Sequence, residues 1–353
     1  MCSSIGLRLT QKGIYQMSKP ILVVISDIHF SVNTLEKASY ALSEALKTAR
    51  SLTLPLIIAG DLTDTKAIIR AEVANKLIEI FTEYKDVETT VIIGNHDLIN
   101  EKGKEHSLKF LKPYVKLVEY TPHLSQSTGV YLMPYFSDNK DLEEWFLHAP
   151  SGQKFIMHQG FQGAFMGDYV QDKTSISPEL VKNFKVISGH YHKHQTVGTV
   201  TYIGSPYTMS FGEANDGPKG FLILNEDFTF ERVILNLPKH VIMTAEAKDG
   251  KVVFDDQDYS VSSHDSVWVK IRGPKSELSH VDKIDLGKEL FGHANFKLDM
   301  LPTSEETIQT HVNEDLTDIE LLDNLINMLS QVPDDKKDNL KRLFRDLTKS
   351  SRK

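Results

Sequence analysis

The sequence predicts an α/β fold with a layered core, followed by a smaller α+β unit and C-terminal helices. Three observations predict it. Residues 21–26 (ILVVIS), 54–59 (LPLIIA) and 89–93 (TTVII) are short apolar runs, the pattern of strands buried on both faces. Helical spacing lies between them: Leu35, Ala38, Leu42, Ala45 and Leu46 fall near one stripe of a helix over 35–50, and a second helical pattern covers 68–84. Strands that alternate with helices imply a layered α/β core.

The second half changes texture. Strand-like pieces at 130–133, 154–158, 185–188, 197–202 and 220–224 are separated by turn residues. Residues 231–301 read as a small α+β unit, with Val267, Val269 and Ile271 alternating as on a half-buried strand and a helix near 280–291. Beyond it, Leu316, Ile319, Leu322, Ile326 and Leu329 fall at helical spacing, as do Leu340, Leu343, Phe344 and Leu347, with Pro333 and Asp334 between the two sets. This predicts a two-helix appendage over 302–353 whose apolar face either packs on its own domain or meets a partner.

The chain has 353 residues, enough for two domains or one large domain with appendages, and its 40% hydrophobic and 25% charged composition lies in the soluble globular range. With 40 Lys and Arg against 48 Asp and Glu the net charge is −8, which weighs against a nucleic-acid binder that relies on a broad basic surface. The charge is unevenly placed: −5 in residues 1–300, −9 in 301–335 and +6 in 336–353. The acidic excess therefore lies mostly in one C-terminal stretch suited to a protein contact. Cys2 is the single cysteine, which excludes an internal disulfide framework and a Cys-based zinc site and fits a reducing compartment. No apolar run reaches the roughly 18 residues a membrane span needs. Residues 1–19 lack the apolar segment of a signal peptide and read as a disordered leader, with Met17 as an alternative start.

Metal-ligand residue types recur at the ends of the apolar strands. They are Asp27-Ile28-His29, then Gly60-Asp61-Leu62-Thr63-Asp64, then Gly94-Asn95-His96-Asp97, then His158, then Gly189-His190-Tyr191-His192. Loops at the carboxyl ends of strands are where α/β proteins build sites. A lone Asp-x-His tripeptide or a lone buried His is more often a packing feature than a ligand, and alternating His residues on a strand end can share a face for packing reasons alone. Five of the 14 His fall in these places, in this order, each after a strand, and packing does not account for that concentration. Oxygen and imidazole donors without thiolate suit Mn, Fe or Zn, and an Asp able to bridge suggests two ions.

This order of motifs resembles the calcineurin-like metallophosphoesterase superfamily over about residues 21–225. A narrower resemblance is carried by Tyr202-Ile203-Gly204-Ser205-Pro206-Tyr207-Thr208-Met209-Ser210-Phe211-Gly212-Glu213 with Lys219-Gly220-Phe221. That segment is similar to one in SbcD-type DNA repair and recombination nucleases, particularly the phage recombination endonuclease subunits. The resemblance implies a β-sandwich flanked by helices over 20–230, a small capping and DNA-binding domain over 231–301, and an ATPase-binding helical segment over 302–353. It implies one metal held by Asp27, His29, Asp61 and His192 and a second held by Asp61, Asn95, His158 and His190. It places His96 over the phosphate as a donor to the developing charge or the leaving oxygen. Asp97 would orient the His96 imidazole, or else cap a helix N-terminus.

One position departs from the family: Asp64 stands where cellular SbcD-type nucleases commonly carry His, which bears on the balance of exonuclease and endonuclease activity. His194 and Lys193 lie outside the family motif, His194 as a surface or substrate-proximal residue and Lys193 as a possible DNA contact. Tyr207 and Phe211 either line the cleft or belong to the core. The resemblance thus implies a Mn-dependent DNA nuclease, a double-strand exonuclease and single-strand endonuclease. It would act as a homodimer with an SMC-like, SbcC-type ATPase in the cytoplasm of a bacterium or phage-infected host. A phosphatase or small-molecule phosphodiesterase of the same superfamily, or a non-catalytic scaffold, are the alternatives; scaffolds usually lose ligands, and here the set is complete.

Overall fold

The apolar runs of the first half become adjacent strands of one sheet. The computed structural model describes residues 8–10, 13–15, 18–64, 66–100, 105–167, 170–255, 261–281 and 296–303. Where the sequence suggests an unstructured leader, β1 (Arg8–Thr10) and β2 (Gly13–Tyr15) pair antiparallel. The chain then runs through β3 (Pro20–Ile25), α1 (Leu35–Leu52), β4 (Leu56–Ala59), α2 (Ala71–Glu83), β5 (Thr89–Ile92) and β6 (Lys116–Val118), with β3 to β6 parallel.

It next builds a second sheet from β7 (His123–Leu124), β8 (Tyr131–Met133), α3 (Asn139–His148), β9 (Lys154–His158), β10 (Lys185–Gly189), β11 (Gln195–Val197) and β12 (Val200–Tyr202). The next two strands, β13 (Gly220–Asn225) and β14 (Phe230–Ile234), return to the first sheet. The orders are β14-β13-β3-β4-β5-β6 and β11-β12-β10-β9-β8-β7.

Alternation along each strand sorts the side chains into layers. Leu22 and Val24 of β3 face Leu132, Ile156 and Ile187 of the second sheet, while Val23 and Ile25 face Leu42 and Leu46 of α1 and Leu77 of α2. On the far side, Phe155 and Met157 of β9 pack on Leu142 and Phe146 of α3. The result is a helix, sheet, sheet, helix sandwich. Both faces of the central strands are dry, which is why their sequences are continuously apolar.

Three elements differ from the sequence reading. Residues 197–202 are not one strand but the turn and second arm of the β11–β12 hairpin, reversed at Gly198 with φ 59°. α3 escapes notice because it buries only Leu142 and Phe146; its start is set by Asp138, whose carboxylate accepts from the Lys140 N–H at 2.9 Å. The small unit forms a third sheet, β16-β15-β17-β18, from β15 (His240–Lys248), β16 (Lys251–Phe254), β17 (Ser266–Gly273) and β18 (Phe296–Pro302). Val267, Val269 and Ile271 are buried there against Met243 and Ala245. Its described helix, α4, spans only Lys275–Leu278, and most of the helix expected near 280–291 lies outside the described residues. The chain divides into compact units Met1–Pro302 and Thr303–Lys353; the helices expected in the second lie outside the described residues.

Candidate metal centre

Strands β3, β4, β5, β9 and β10 all end at the same edge of the sandwich, and the candidate ligands are the residues at or just past those ends. The loops after β3 and β4 continue side by side: the N–H of Asp27 donates to Gly60 O at 3.2 Å, that of His29 to Asp61 O at 3.0 Å and that of Phe30 to Leu62 O at 2.8 Å. This pairing holds a left-handed backbone at Asp27 (φ 53°), His29 (φ 50°) and Asp61 (φ 50°), and His190 is left-handed as well (φ 90°). Each such residue costs roughly 1–3 kcal/mol, and such strain collects at functional sites when surrounding contacts enforce it. Two glycines make the convergence possible. A Cβ at Gly60 would lie 2.2 Å from His158 Nδ1, and one at Gly94 would lie 2.2 Å from Asp61 Oδ1.

Two donor sets meet at Asp61. In one, Asp27, His29 and His192 each offer a ligand atom within 4.8 Å of the others, with His29 Nε2 at 3.1 Å from His192 Nε2 and 3.7 Å from Asp61 Oδ2. In the other, His158 Nε2 lies 3.2 Å from Asp61 Oδ2 and 3.0 Å from Asn95 Oδ1, which is itself 2.9 Å from His190 Nδ1. The remaining oxygen of Asp61, Oδ1, accepts from the His96 N–H at 2.8 Å, fixing the carboxylate between the sets.

The donors fit divalent ions. His158 Nδ1 is 2.8 Å from Ala59 O, a pure acceptor, so the hydrogen-bond network assigns a proton to Nδ1 and leaves Nε2 as the nitrogen that faces a carboxylate and an amide oxygen. A proton or a metal ion can occupy that place, and an N/O set without thiolate suits borderline divalent ions. Protons feel the same field. Burial opposes charge on His158, yet Asp61 and then Asp27 raise its pKa to about 9. Burial likewise opposes ionisation of Asp61, but His158 and His29 hold it far below the usual carboxylate range. Burial, with His158 beside it, lowers His190 to about 4, which keeps its imidazole neutral at neutral pH.

Partners stand behind the candidate ligands. His192 Nδ1 meets Glu213 Oε1 at 2.8 Å, and His29 Nδ1 lies 3.4 Å from Asp64 Oδ1. Asp64, the departure from the family pattern, thus faces the Nδ1 side of the candidate ligand His29. His96 is half-buried, edge-on to His29 with ring centres 4.8 Å apart, and its Nδ1 donates to the Asp64 carbonyl at 2.8 Å. That carbonyl, and not Asp97, orients the imidazole.

Asp97 is completely buried and ties two loops together, accepting from the N–H of Gly94 at 2.9 Å and from the N–H and hydroxyl of Thr63 at 3.0 and 3.1 Å. Its carboxylate caps no helix and is engaged by loop donors away from the imidazole, which corrects both sequence readings of this residue. Burial, then the nearby Asp61 charge, pushes its pKa up to about 6.

Other expected residues fall outside the cluster. His194 Nδ1 contacts Tyr202 O at 2.7 Å, and Lys193 Nζ is turned to within 4.0 Å of Asp216 Oδ1. Tyr207 belongs to the core, with its hydroxyl on the Ile28 carbonyl, and Phe211 stacks edge-on against His240 and Trp268 where the third sheet joins the sandwich. Two site residues escape the sequence reading. Tyr135 lies against the His190 ring with centres 6.1 Å apart, and it sits in no motif. Glu213 sits in a quoted motif, yet nothing in the spacing says that it reaches His192.

The calcineurin-like phosphoesterase family model matches residues 21–194, the span that holds all the candidate ligands. The chain is 26% identical over 251 residues to "Putative phosphoesterase 244L" of Invertebrate iridescent virus 6, covering 65% of this chain and 86% of that protein. It is 27% identical over 177 residues to "Exonuclease subunit 1" of Enterobacteria phage T4, covering 48% of this chain and about half, 52%, of that protein. A solved archaeal phosphodiesterase is similar at 13% identity and a TM-score of 0.33, over 61% of this chain and 99% of that one. Among the described residues no helix is long and apolar enough to cross a membrane. The chain carries a calcineurin-like metallophosphoesterase domain, and it is a hydrolase of phosphoesters.

Proposed function

We propose that this chain is the nuclease subunit of a DNA-processing complex and hydrolyses phosphodiester bonds at a centre of two divalent ions, manganese being the expected metal. The observation that carries the reading is the sharing of Asp61 by two donor sets at one sandwich edge. The likeness to a phage protein named as an exonuclease subunit supports the choice of DNA. Asp27, His29, Asp61 and His192 would hold one ion, and Asp61, Asn95, His158 and His190 the other. When bound, such a pair neutralises the phosphate and lowers the pKa of water for in-line attack.

The protein supplies the rest. His96 belongs to neither set, and its Nδ1 is committed to the Asp64 carbonyl, so Nε2 is the nitrogen left to donate to a phosphate or leaving oxygen. Asp97 keeps the loop that carries Asn95 and His96 in register with the loop that carries Asp61. Net acidity is no obstacle, since two divalent ions offset most of the −5 on residues 1–300 at the point where phosphate sits.

The wider reading is a homodimer in a bacterial or phage-infected cytoplasm, bound through 302–353 to an SMC-like, SbcC-type ATPase. An amphipathic helix laid on a coiled coil is an established recognition mode. The test compares linear duplex DNA with p-nitrophenyl and bis-p-nitrophenyl phosphate in manganese. DNA is expected to be degraded at the higher kcat/KM; turnover of the small esters alone would instead favour a phosphatase or small-molecule phosphodiesterase. Truncation after Leu301 is expected to keep DNA hydrolysis and lose co-purification with the ATPase, and retained binding would remove 302–353 from the partner contact.

A further inference from the structure

We infer that Glu213, braced by Lys219, is a positioning residue that fixes the His192 imidazole and thereby sets the affinity of the donor set containing it. The inference rests on the two-ion reading above. His192 lies past the end of β10, and its side chain is 29% exposed, so no strand locks its ring. What locks it is a cluster from the segment after β12. Glu213 Oε1 accepts from His192 Nδ1 at 2.8 Å, while Oε2 accepts from the Met209 N–H at 3.2 Å and lies 3.1 Å from Lys219 Nζ.

Lys219 holds both ends of this arrangement. Its ammonium meets the backbone carbonyl of His192 at 2.8 Å, Ser205 Oγ at 3.0 Å and Asp216 Oδ2 at 2.9 Å, besides Glu213. Three protons among four acceptors leave no donor idle. The side chains of Glu213, Lys219 and Asp216 are 10%, 8% and 1% exposed. Asp216 is met by Lys219 and, at 4.0 Å, by Lys193, while the Glu213 carboxylate lies on the side of the imidazole away from Nε2. A carboxylate in that place keeps the proton on Nδ1, points Nε2 toward the site and raises its basicity as a ligand. Ser205, Glu213 and Lys219 all belong to the Gly-Ser-Pro to Lys-Gly signature, so the cluster gives these three of its positions a physical purpose.

A plain structural clasp that ties the segment to the β10 loop would show the same contacts, so the test must separate the two. Full-length protein is titrated with Mn by calorimetry and with Co, whose visible bands report ligand geometry, using Glu213→Gln, Glu213→Ala and the double variant with His192→Ala. The wild type is expected to bind two ions. Glu213→Ala is expected to weaken one ion about 10- to 100-fold and shift its Co bands while leaving the other ion unchanged. Glu213→Gln, whose amide oxygen still accepts from Nδ1, is expected to fall between. Adding Glu213→Ala to His192→Ala is expected to cost nothing more. Equal weakening of both ions, or of neither, would overturn the inference. If Glu213→Ala fails to fold, the isosteric Glu213→Gln decides by the same readings. A wild type that binds fewer than two ions would overturn the two-ion reading, and this inference with it.

Discussion

The two donor sets that share Asp61 are held in different ways. His158 is the last residue of β9, fully buried, with its ring on the carbonyl of Ala59 at the end of β4. The packing of sheet on sheet therefore orients it. His29 and His192 are backed instead by carboxylates from loops, Asp64 and Glu213. The first set inherits its geometry from the fold, while the second depends on side chains that can change without disturbing a strand. Variation in chemistry among chains of this architecture is expected to collect around the second set, and Asp64, in place of the His common in SbcD-type nucleases, is one instance.

A change at Gly94 must strike both sets at once, and its effect is expected to exceed the two that follow. In Gly94→Ala the new Cβ would meet Asp61 Oδ1 at 2.2 Å and Asp61 N at 2.3 Å, so the shared carboxylate has to move. Both ions are expected to weaken together and hydrolysis to fall about 100-fold or more, the scale of a misplacement near 1 Å. Loss of a single ion in the titration would break the claim that Asp61 is shared.

The next effect is a pH dependence. A ligating His must be neutral at its donor nitrogen, and in the metal-free protein His158 stays protonated up to about pH 9. Below that value an ion entering the buried set displaces a proton. Its apparent affinity is expected to rise about tenfold per pH unit toward pH 9, with a proton released at pH 7. Calorimetry in buffers of different ionisation enthalpy reads this directly, and a flat profile would contradict the placement of His158 as a ligand.

The smallest effect is Asp64→Asn. The carboxylate lies 3.4 Å from His29 Nδ1 and is 46% exposed, so water screens and replaces it. A loss of only a few-fold in affinity is expected, confined to the set that contains His29. An equal loss in the His158 set would erase the distinction between the two.

The sequence makes the central strands and the ligand positions readable for one shared reason. Strands buried on both faces are continuously apolar, so a polar residue just past Ile25, Ala59 or Ile92 stands out against its surroundings. The edge strands β6, β7 and β14 and the helix α3 carry no such contrast, since each is short or exposed on one side. Asp97 shows a different limit. Adjacent to His96 in sequence, it bonds to Gly94 and Thr63, because the direction of its side chain is set by loop donors that spacing does not reveal. Glu213 and Tyr135 meet His192 and His190 only through the return of the chain from distant segments.

The central claim is that one carboxylate serves two ions that act together on a phosphodiester of DNA. Nucleotide release from linear duplex DNA, followed against manganese concentration for the wild type and Asp61→Asn, tests it most directly. Wild-type release is expected to depend on metal more steeply than first order, and Asp61→Asn is expected to lose at least about a thousandfold, as when both ions of a two-metal site are disturbed. Undiminished release by Asp61→Asn would contradict it.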